Sequence, residues 1–174
     1  MKQLFAVWLA PQDNDKEYLQ NIVNDLAVKY NAPKFIPHLT ILGDTIIELE
    51  DLKKAIDNTF LSVKPFKIKT TKISQSDIFF KTLFAEFEKN DLLTKIFSDL
   101  EKNLPEKTEY IFNPHISLLY KNMPEKERIR LTKEINLKNT FTIDKVIINA
   151  PKNGDNDFLN IEGWQSAYTK ILNY

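Results

Sequence analysis

The sequence repeats one hexapeptide pattern, as Pro-His-Leu-Thr-Ile-Leu at 37–42 and as Pro-His-Ile-Ser-Leu-Leu at 114–119. The chain has only two histidines, His38 and His115, and both occupy the second position of the pattern. Because side chains alternate between the faces of a strand, each histidine shares a face with the hydroxyl residue two positions later. The aliphatic residues point to the opposite face. Each hexapeptide therefore predicts a strand with one apolar face and one face that carries an imidazole and a hydroxyl.

Two such strands brought together would form a site suited to phosphodiester cleavage. The reaction needs a base that activates the attacking oxygen and an acid that protonates the leaving oxygen. Imidazole, with a reference pKa of about 6.5, can serve either role near neutral pH. Negative charge builds on the non-bridging oxygens, and the hydroxyls of Thr40 and Ser117 are placed to donate hydrogen bonds to it. The paired hexapeptides thus contain an acid, a base and donors without a metal.

Composition limits the function classes. The 174 residues suffice for one domain with a proper core. The absence of cysteine excludes disulfides, thiolate nucleophiles and cysteine-based zinc sites, and it fits a reducing compartment. The 24 basic and 24 acidic residues balance, which disfavours a surface for long nucleic acids but suits a small anionic ligand. No stretch approaches the roughly 20 apolar residues of a membrane span. We expect a cytoplasmic monomer with no cofactor and no membrane partner.

Strand and helix patterns alternate along the chain. Amphipathic spacing predicts four helices, at 15–30, 48–60, 91–103 with Asn90 or Asp91 as the N-cap, and 124–135. Apolar runs between turn signals predict seven strands, at 3–10, 37–42, 65–73, 78–88, 110–120, 140–149 and 158–172. Gly43 is expected to close the second strand, and a turn at 151–157 precedes the last.

Each half of this order runs strand, helix, histidine strand, helix, strand. It predicts an α+β fold in which residues 1–174 form a single domain of two interleaved, pseudo-symmetric lobes, each with a small antiparallel sheet and outer helices. If a pseudo-twofold axis relates the lobes, both His-x-Thr/Ser motifs line one central cleft. Two imidazoles on opposite surfaces would contradict this hypothesis.

Other interpretations of the same residues are open. His38 and His115 can be structural histidines, or the start of a metal site that lacks a third ligand with recognisable spacing. The run 155–157 after Gly154 hints at a calcium loop, but no glutamate follows at the EF-hand spacing, which favours a hairpin turn. A non-catalytic nucleotide-binding module is a further class, and a turnover assay separates it from an enzyme.

Four segments carry a resemblance to a known family, namely Val7–Pro11, Phe35–Gly43, Phe79–Leu83 and Asn113–Tyr120. Together they resemble the two-histidine (2H) phosphoesterase superfamily, and the Ser-Leu-Leu-Tyr ending points to its cyclic phosphodiesterase branch. The resemblance implies a bilobal fold and metal-free hydrolysis of a cyclic phosphate to a monophosphate. Substrates of that branch are ADP-ribose 1″,2″-cyclic phosphate and nucleoside 2′,3′-cyclic phosphates. Relatives that process RNA ends, or 2′,5′-linked or cyclic oligonucleotides, supply the alternative function.

The resemblance also implies roles for individual residues. His115 would be the base that activates water, and His38 the acid on the leaving oxygen. Thr40 and Ser117 would hold the phosphate oxygens, and Tyr120 would help to bind the substrate. Because Tyr120 lies five residues after His115, it has the wrong parity for the same face, so the strand must end or bulge just before it.

The two tryptophans have different expected places. Trp8 is a candidate wall for stacking a nucleobase, since flat aromatic rings bind bases without reading them. Ordinary core packing explains Trp8 equally well. Trp164 is expected in the core.

Overall fold

The computed structural model describes residues 1–152 and 164–174, and within them four helices pack on one antiparallel sheet of seven strands. The helices are α1 (Asp13–Tyr30), α2 (Leu49–Thr59), α3 (Asp91–Asn103) and α4 (Glu125–Glu134). The strands are β1 (Gln3–Pro11), β2 (Leu39–Ile47), β3 (Phe66–Gln75), β4 (Leu83–Phe87), β5 (His115–Leu119), β6 (Thr140–Pro151) and β7 (Trp164–Ile171). The predicted α+β class is confirmed.

The strands pair in the order β6-β1-β2-β5-β4-β3, and β3 pairs again with the start of β6. These six strands therefore form a closed ring of pairings, to which β7 is added along the rest of β6. Outward from the contact between β2 and β5, the strand order is β2-β1-β6 on one side and β5-β4-β3 on the other, so the two sides mirror each other. This mirrored order supports a single domain of two interleaved lobes, which stays a prediction.

The two histidine strands meet through one register pair, Leu39 opposite Ile116. Both side chains are fully buried, at 0% exposure. In an antiparallel ladder the residues beside such a pair point to the other face of the sheet. His38 and His115 each directly precede a member of the pair. The contact therefore turns both histidines toward the same face.

Strand β1 separates the core from that face. Phe5, Val7 and Leu9 are at most 1% exposed and point into the core. The alternate residues Ala6 and Trp8 point the other way, and Trp8 is half-buried. This alternation gives β1 one face for the core and one for a cavity.

The first histidine strand extends beyond its predicted end at Gly43 and reaches Ile47, and it begins at Leu39 instead of residue 37. Gly43 lies in an irregular part of the β1–β2 register, between the pairs Val7–Leu42 and Phe5–Thr45. A Cβ atom at Gly43 would lie 2.7 Å from the Tyr110 ring. The glycine therefore makes room for an aromatic ring and does not end the strand.

Two predicted strands are shorter than expected. The strand predicted at 78–88 begins with a short 3₁₀ turn, Phe79–Lys81, and only Leu83–Phe87 is extended. The strand predicted at 110–120 is limited to His115–Leu119, although the Phe87 amide of β4 still donates a hydrogen bond to the Pro114 carbonyl oxygen. The predicted turn at 151–157 and the start of the strand predicted at 158–172 fall largely outside the described residues.

The helix ends follow from local chemistry. The Asn90 side chain accepts a hydrogen bond from the Leu93 amide at 2.9 Å, which confirms the predicted N-cap of α3. At the start of α1, the buried Asp15 carboxylate accepts a hydrogen bond from the Thr142 amide at 2.6 Å and also pairs with Lys138. This contact fixes the first turn of α1 to β6.

Burial predicts a contrast between two isoleucines of β2. Ile41 is 0% exposed and Ile46 is 62% exposed. We expect Ile41→Ala to lower the free energy of unfolding by about 2–5 kcal/mol, because it leaves a cavity in the core beneath the histidines. Ile46→Ala is the matched control and should change it by less than about 0.5 kcal/mol. Urea unfolding measures both, and equal losses would contradict the placement of β2.

Candidate active site

One cavity of about 420 Å³ contains both histidines. His38, His115, Thr40, Tyr120 and Trp8 all line it. The structure therefore brings together five of the six site residues that the sequence predicts. The sixth, Ser117, lies directly behind the wall. The two imidazoles share one surface, as the hypothesis of a common cleft requires.

The two imidazoles are held in the same way. The Nδ1 atom of His38 lies 2.6 Å from the Ile36 carbonyl oxygen, and the Nδ1 atom of His115 lies 2.7 Å from the Asn113 carbonyl oxygen. A carbonyl oxygen can only accept, so Nδ1 carries the proton in each neutral ring. The Nε2 atom is then the ring nitrogen left to exchange a proton with a ligand. Both histidines are oriented for acid–base chemistry by the backbone two residues earlier.

His38 is held in its neutral form by the surrounding protein. Its ring stacks on Trp8, with centroids 3.6 Å apart and planes 8° apart. Burial lowers the pKa of His38 to about 4, the Ile36 carbonyl opposes this, and His115 lowers the pKa further. A charged His38 therefore needs an anion beside it.

His115 has a different neighbourhood. Its ring meets the edge of Phe84, with centroids 5.5 Å apart. Burial lowers the pKa of His115, the Asn113 carbonyl opposes this, and the ammonium group of Lys81 lowers the pKa further. Lys81 lies over the Phe84 ring at 4.5 Å, and burial lowers its own pKa. Lys81 belongs to a segment that carries the family resemblance, but the sequence indicated no role for it.

The two hydroxyl residues occupy unequal positions. Thr40 stands opposite Trp8 across the β1–β2 pairing and lies on the cavity wall. Ser117 is 8% exposed, and its hydroxyl donates a hydrogen bond to the Phe80 carbonyl oxygen at 2.8 Å. To reach a bound phosphate, the Ser117 hydroxyl has to exchange that hydrogen bond.

Tyr120 reaches the cavity because β5 ends at Leu119. This confirms the prediction that the strand ends or bulges just before Tyr120. Its ring stacks on Phe35 with centroids 3.7 Å apart, and the edge of Phe80 meets it. Burial raises the pKa of the Tyr120 phenol, and the nearby Ser117 hydroxyl opposes the shift. The phenol therefore stays protonated and is a hydrogen-bond donor.

One of the two tryptophans departs from expectation. Trp8 lines the cavity, as a candidate stacking wall would, and one face of its ring is stacked on His38. The expectation that Trp164 is a core residue is wrong. Trp164 is half-buried, lines the same cavity, and lies 6.1 Å from Trp8 between ring centroids. Pairing of β7 with β6 brings it there, and no local pattern predicts that pairing.

Sequence reasoning also missed polar residues on the cavity wall, among them Lys16, Asp44, Tyr110 and Asn149. Burial raises the pKa of Asp44, and burial and then Asp44 raise the pKa of Tyr110 to about 12. These residues come from a helix, a strand irregularity, a loop and a strand in the other half of the chain. Only the assembled sheet brings them together.

Comparison with known proteins shows the family to which the chain belongs. The family model for cyclic phosphodiesterase-like proteins matches residues 4–161. The chain belongs to this family. As a cyclic phosphodiesterase-like protein it is a member of the 2H phosphoesterase superfamily, and it is a phosphodiesterase. The Arabidopsis thaliana cyclic phosphodiesterase is 20% identical over 127 residues, which cover 73% of this chain and 70% of the relative.

Solved structures of the same fold extend over the whole chain. Escherichia coli LigT complexed with 3′-AMP superposes with a TM-score of 0.63 at 11% identity, and the match covers 100% of both chains. TT0787 of Thermus thermophilus gives a TM-score of 0.57 at 14% identity, and the match covers 99% of this chain and 98% of that one. At these identities the likeness concerns the fold of the cyclic phosphodiesterase-like protein.

The potential metal-binding side chains of the described residues do not form a cluster. Within 1–152 and 164–174, no group of three His, Cys, Asp or Glu side chains is arranged to hold a metal ion. Across the same ranges, none of the helices combines the length and the apolar character that crossing a membrane demands.

The lowered pKa of His38 predicts how stability depends on pH. Its pKa is about 4 in the folded protein and near 6.5 in the unfolded chain. The unfolded chain therefore binds more protons between these values, and stability falls as the pH drops through that window. Between about pH 7.5 and about pH 5, we expect the wild-type protein to lose roughly 1–2 kcal/mol more than His38→Gln. Urea unfolding at both pH values tests this, and parallel losses would contradict it.

Proposed function

We propose that this phosphodiesterase hydrolyses a small cyclic phosphodiester to a phosphomonoester, by paired-histidine acid–base catalysis without a metal. The substrate is a nucleoside 2′,3′-cyclic phosphate or ADP-ribose 1″,2″-cyclic phosphate. The observation that carries the proposal is the pair of imidazoles in one cavity, each with Nδ1 held by a carbonyl and Nε2 left for the substrate. The cytoplasmic location and the monomeric state expected from the sequence belong to the same proposal.

In the proposed reaction, His115 accepts a proton from water at Nε2 as the water oxygen attacks phosphorus. The bond from phosphorus to one ring oxygen breaks, and His38 donates the proton from its Nε2 to that oxygen. Burial and the ammonium group of Lys81 favour neutral His115, which suits a base, and the Glu86 carboxylate opposes them. His38 must first gain a proton, and the negative charge of the bound phosphate raises its pKa toward that state.

The hydroxyl groups and the phenol complete the proposed site. Thr40 donates to a non-bridging phosphate oxygen from the cavity wall. Ser117 joins it after its hydroxyl leaves the Phe80 carbonyl. The Tyr120 phenol stays protonated and donates a further hydrogen bond to the substrate. Donors already in place are worth more than mobile ones, because they need no reorganisation as charge develops.

The substrate class is supported by size, charge and relatives. A cavity of about 420 Å³ falls in the range typical of small-molecule sites. The balanced charge of the chain suits a small nucleotide better than a long RNA. One relative is named a cyclic phosphodiesterase, and LigT structures contain 3′-AMP or ATP. RNA ends, 2′,5′-oligoadenylate and cyclic dinucleotides belong in the same substrate panel, as the alternative.

Removing either imidazole should stop turnover. We expect His38→Ala and His115→Ala each to lower kcat on 2′,3′-cyclic nucleotides by at least about 100-fold, because each ring transfers a proton in the transition state. Product analysis by chromatography measures the monophosphate formed. Circular dichroism and the unfolding midpoint of each variant show whether the fold is intact.

The controls separate the rival interpretations. Activity should persist in EDTA, and loss of activity with the chelator would favour a metal site. A nucleotide-binding module would bind the cyclic nucleotide and form no product. Near-wild-type turnover in a folded single-histidine variant would contradict the acid–base pair.

The hydroxyl residues give a graded prediction. We expect Thr40→Val and Ser117→Ala each to lower kcat about tenfold or more, through loss of a donor to the phosphate oxygens. Thr71→Val is the control, because that hydroxyl donates to the Glu86 carbonyl on β4 outside the cavity. If Ser117→Ala kept the wild-type kcat, its hydroxyl would only tie β5 to Phe80.

A further inference from the structure

Two neighbouring rows of residues, each running across the paired strands, line the cavity, and the first row contains residues of the proposed reaction. In the first row, Trp8 stands between Thr40 of β2 and Ile147 of β6. Two residues along β1, Ala6 stands beside Asn149 of β6.

Asn149 in turn faces Ser166 of β7, and Ala6, Asn149 and Ser166 all line the cavity. Two residues along a strand span about 7 Å. The second row therefore lies about 7 Å from the row that contains Thr40 and Trp8.

Asn149 is the unusual member of this row. It is 4% exposed, and its Nδ2 atom has no hydrogen-bond partner among the residues that the structure describes. Buried amide groups are almost always hydrogen-bonded, because an unpaired donor has lost its water without a replacement. Since Asn149 lines the cavity, a ligand can supply the missing acceptor.

The surroundings of Asn149 suit a flat, polar-edged ring. Ala6 adds only a methyl group to the floor, and Gly43 lines the cavity without a side chain. Trp164 adds an aromatic surface at the same end of the cavity, and the Ser166 hydroxyl is exposed beside it. The Asp44 carboxylate offers an acceptor on the wall. Donors, acceptors and aromatic surface together are what a nucleobase uses in recognition.

We propose that the row Ala6–Asn149–Ser166, with Trp164, is the nucleobase subsite, and that Asn149 donates a hydrogen bond to an acceptor on the base. This inference rests on the proposed function and narrows it. A nucleoside 2′,3′-cyclic phosphate carries its base one ribose away from the reacting phosphate, a span that about 7 Å accommodates. The ribose that bears the cyclic phosphate in ADP-ribose 1″,2″-cyclic phosphate carries no base. Because Asn149 would donate its hydrogen bond to a base, we expect nucleoside 2′,3′-cyclic phosphates to be preferred over ADP-ribose 1″,2″-cyclic phosphate as substrates.

The test compares substrates with and without a base. We measure kcat and KM for 2′,3′-cyclic AMP, 2′,3′-cyclic UMP, ADP-ribose 1″,2″-cyclic phosphate and methyl riboside 2,3-cyclic phosphate. Asn149→Leu keeps the size of the side chain and removes the donor, and Asn149→Ser is a second, smaller variant. Asn14→Leu, at an exposed position on α1, is the control. For both Asn149 variants we expect KM for at least one cyclic nucleotide to rise about 3- to 10-fold, with kcat little changed.

The same variants should hydrolyse the methyl riboside substrate as the wild-type protein does, which also shows that they fold. Equal losses on substrates with and without a base would overturn the subsite, because Asn149 would then be structural. So would a wild-type protein whose kcat/KM is the same without a base, or higher for ADP-ribose 1″,2″-cyclic phosphate. In those cases the proposed hydrolysis would stand. Only a protein that cleaves none of the four substrates would refute the proposed function itself.

Discussion

The contact between Leu39 and Ile116 is the constraint on which the site depends. It joins the two histidine strands through one buried pair, and the ring of pairings closes only through it. Because both side chains point into the core, the residues beside them must point out. A shift of one residue in this register would turn one of the two imidazoles toward the core and leave the other outside. The hydrophobic pattern of the hexapeptides thus controls where the two histidines face.

Much of the fold and part of the site could be predicted, because the signals are local. Alternation within each hexapeptide indicated the faces of His38 and His115, and parity indicated that β5 must end before Tyr120. Residues contributed by distant pairings had no such signal. Trp164 and Asn149 reach the cavity only because β6 lies beside β1 and β7 lies beside β6. Their local sequence is that of ordinary strands, so position in the assembled sheet, and not residue pattern, makes them site residues.

The electrostatics of the site complement the proposed substrate. The pKa values of both histidines are lowered, chiefly by burial, so the cavity presents two uncharged imidazoles to an incoming ligand. An anionic phosphate then favours a proton on one of them. Beside His115, the ammonium group of Lys81 opposes that proton and the Glu86 carboxylate favours it, whereas burial lowers the pKa of His38 to about 4. The two imidazoles of a nearly symmetric site therefore differ in their charged neighbours, which lie outside the repeated motif.

The closed ring of strands also determines how macromolecules can approach the protein. β2 has β1 along one edge and meets β5 on the other edge only at Leu39, and β5 has β2 and β4 beside it. The edges next to the two histidines are occupied by this pair, whereas the rest of the same β2 edge, toward Ile47, has no pairing partner among the described strands. Of the described strands, β7 has an unpaired edge, and such edges are where chains can associate wrongly. Tyr168 and Lys170 of β7 both bind Asp57 of α2, which holds this strand to a helix. Edge-to-edge association at β7 would therefore take place on a strand that carries neither histidine.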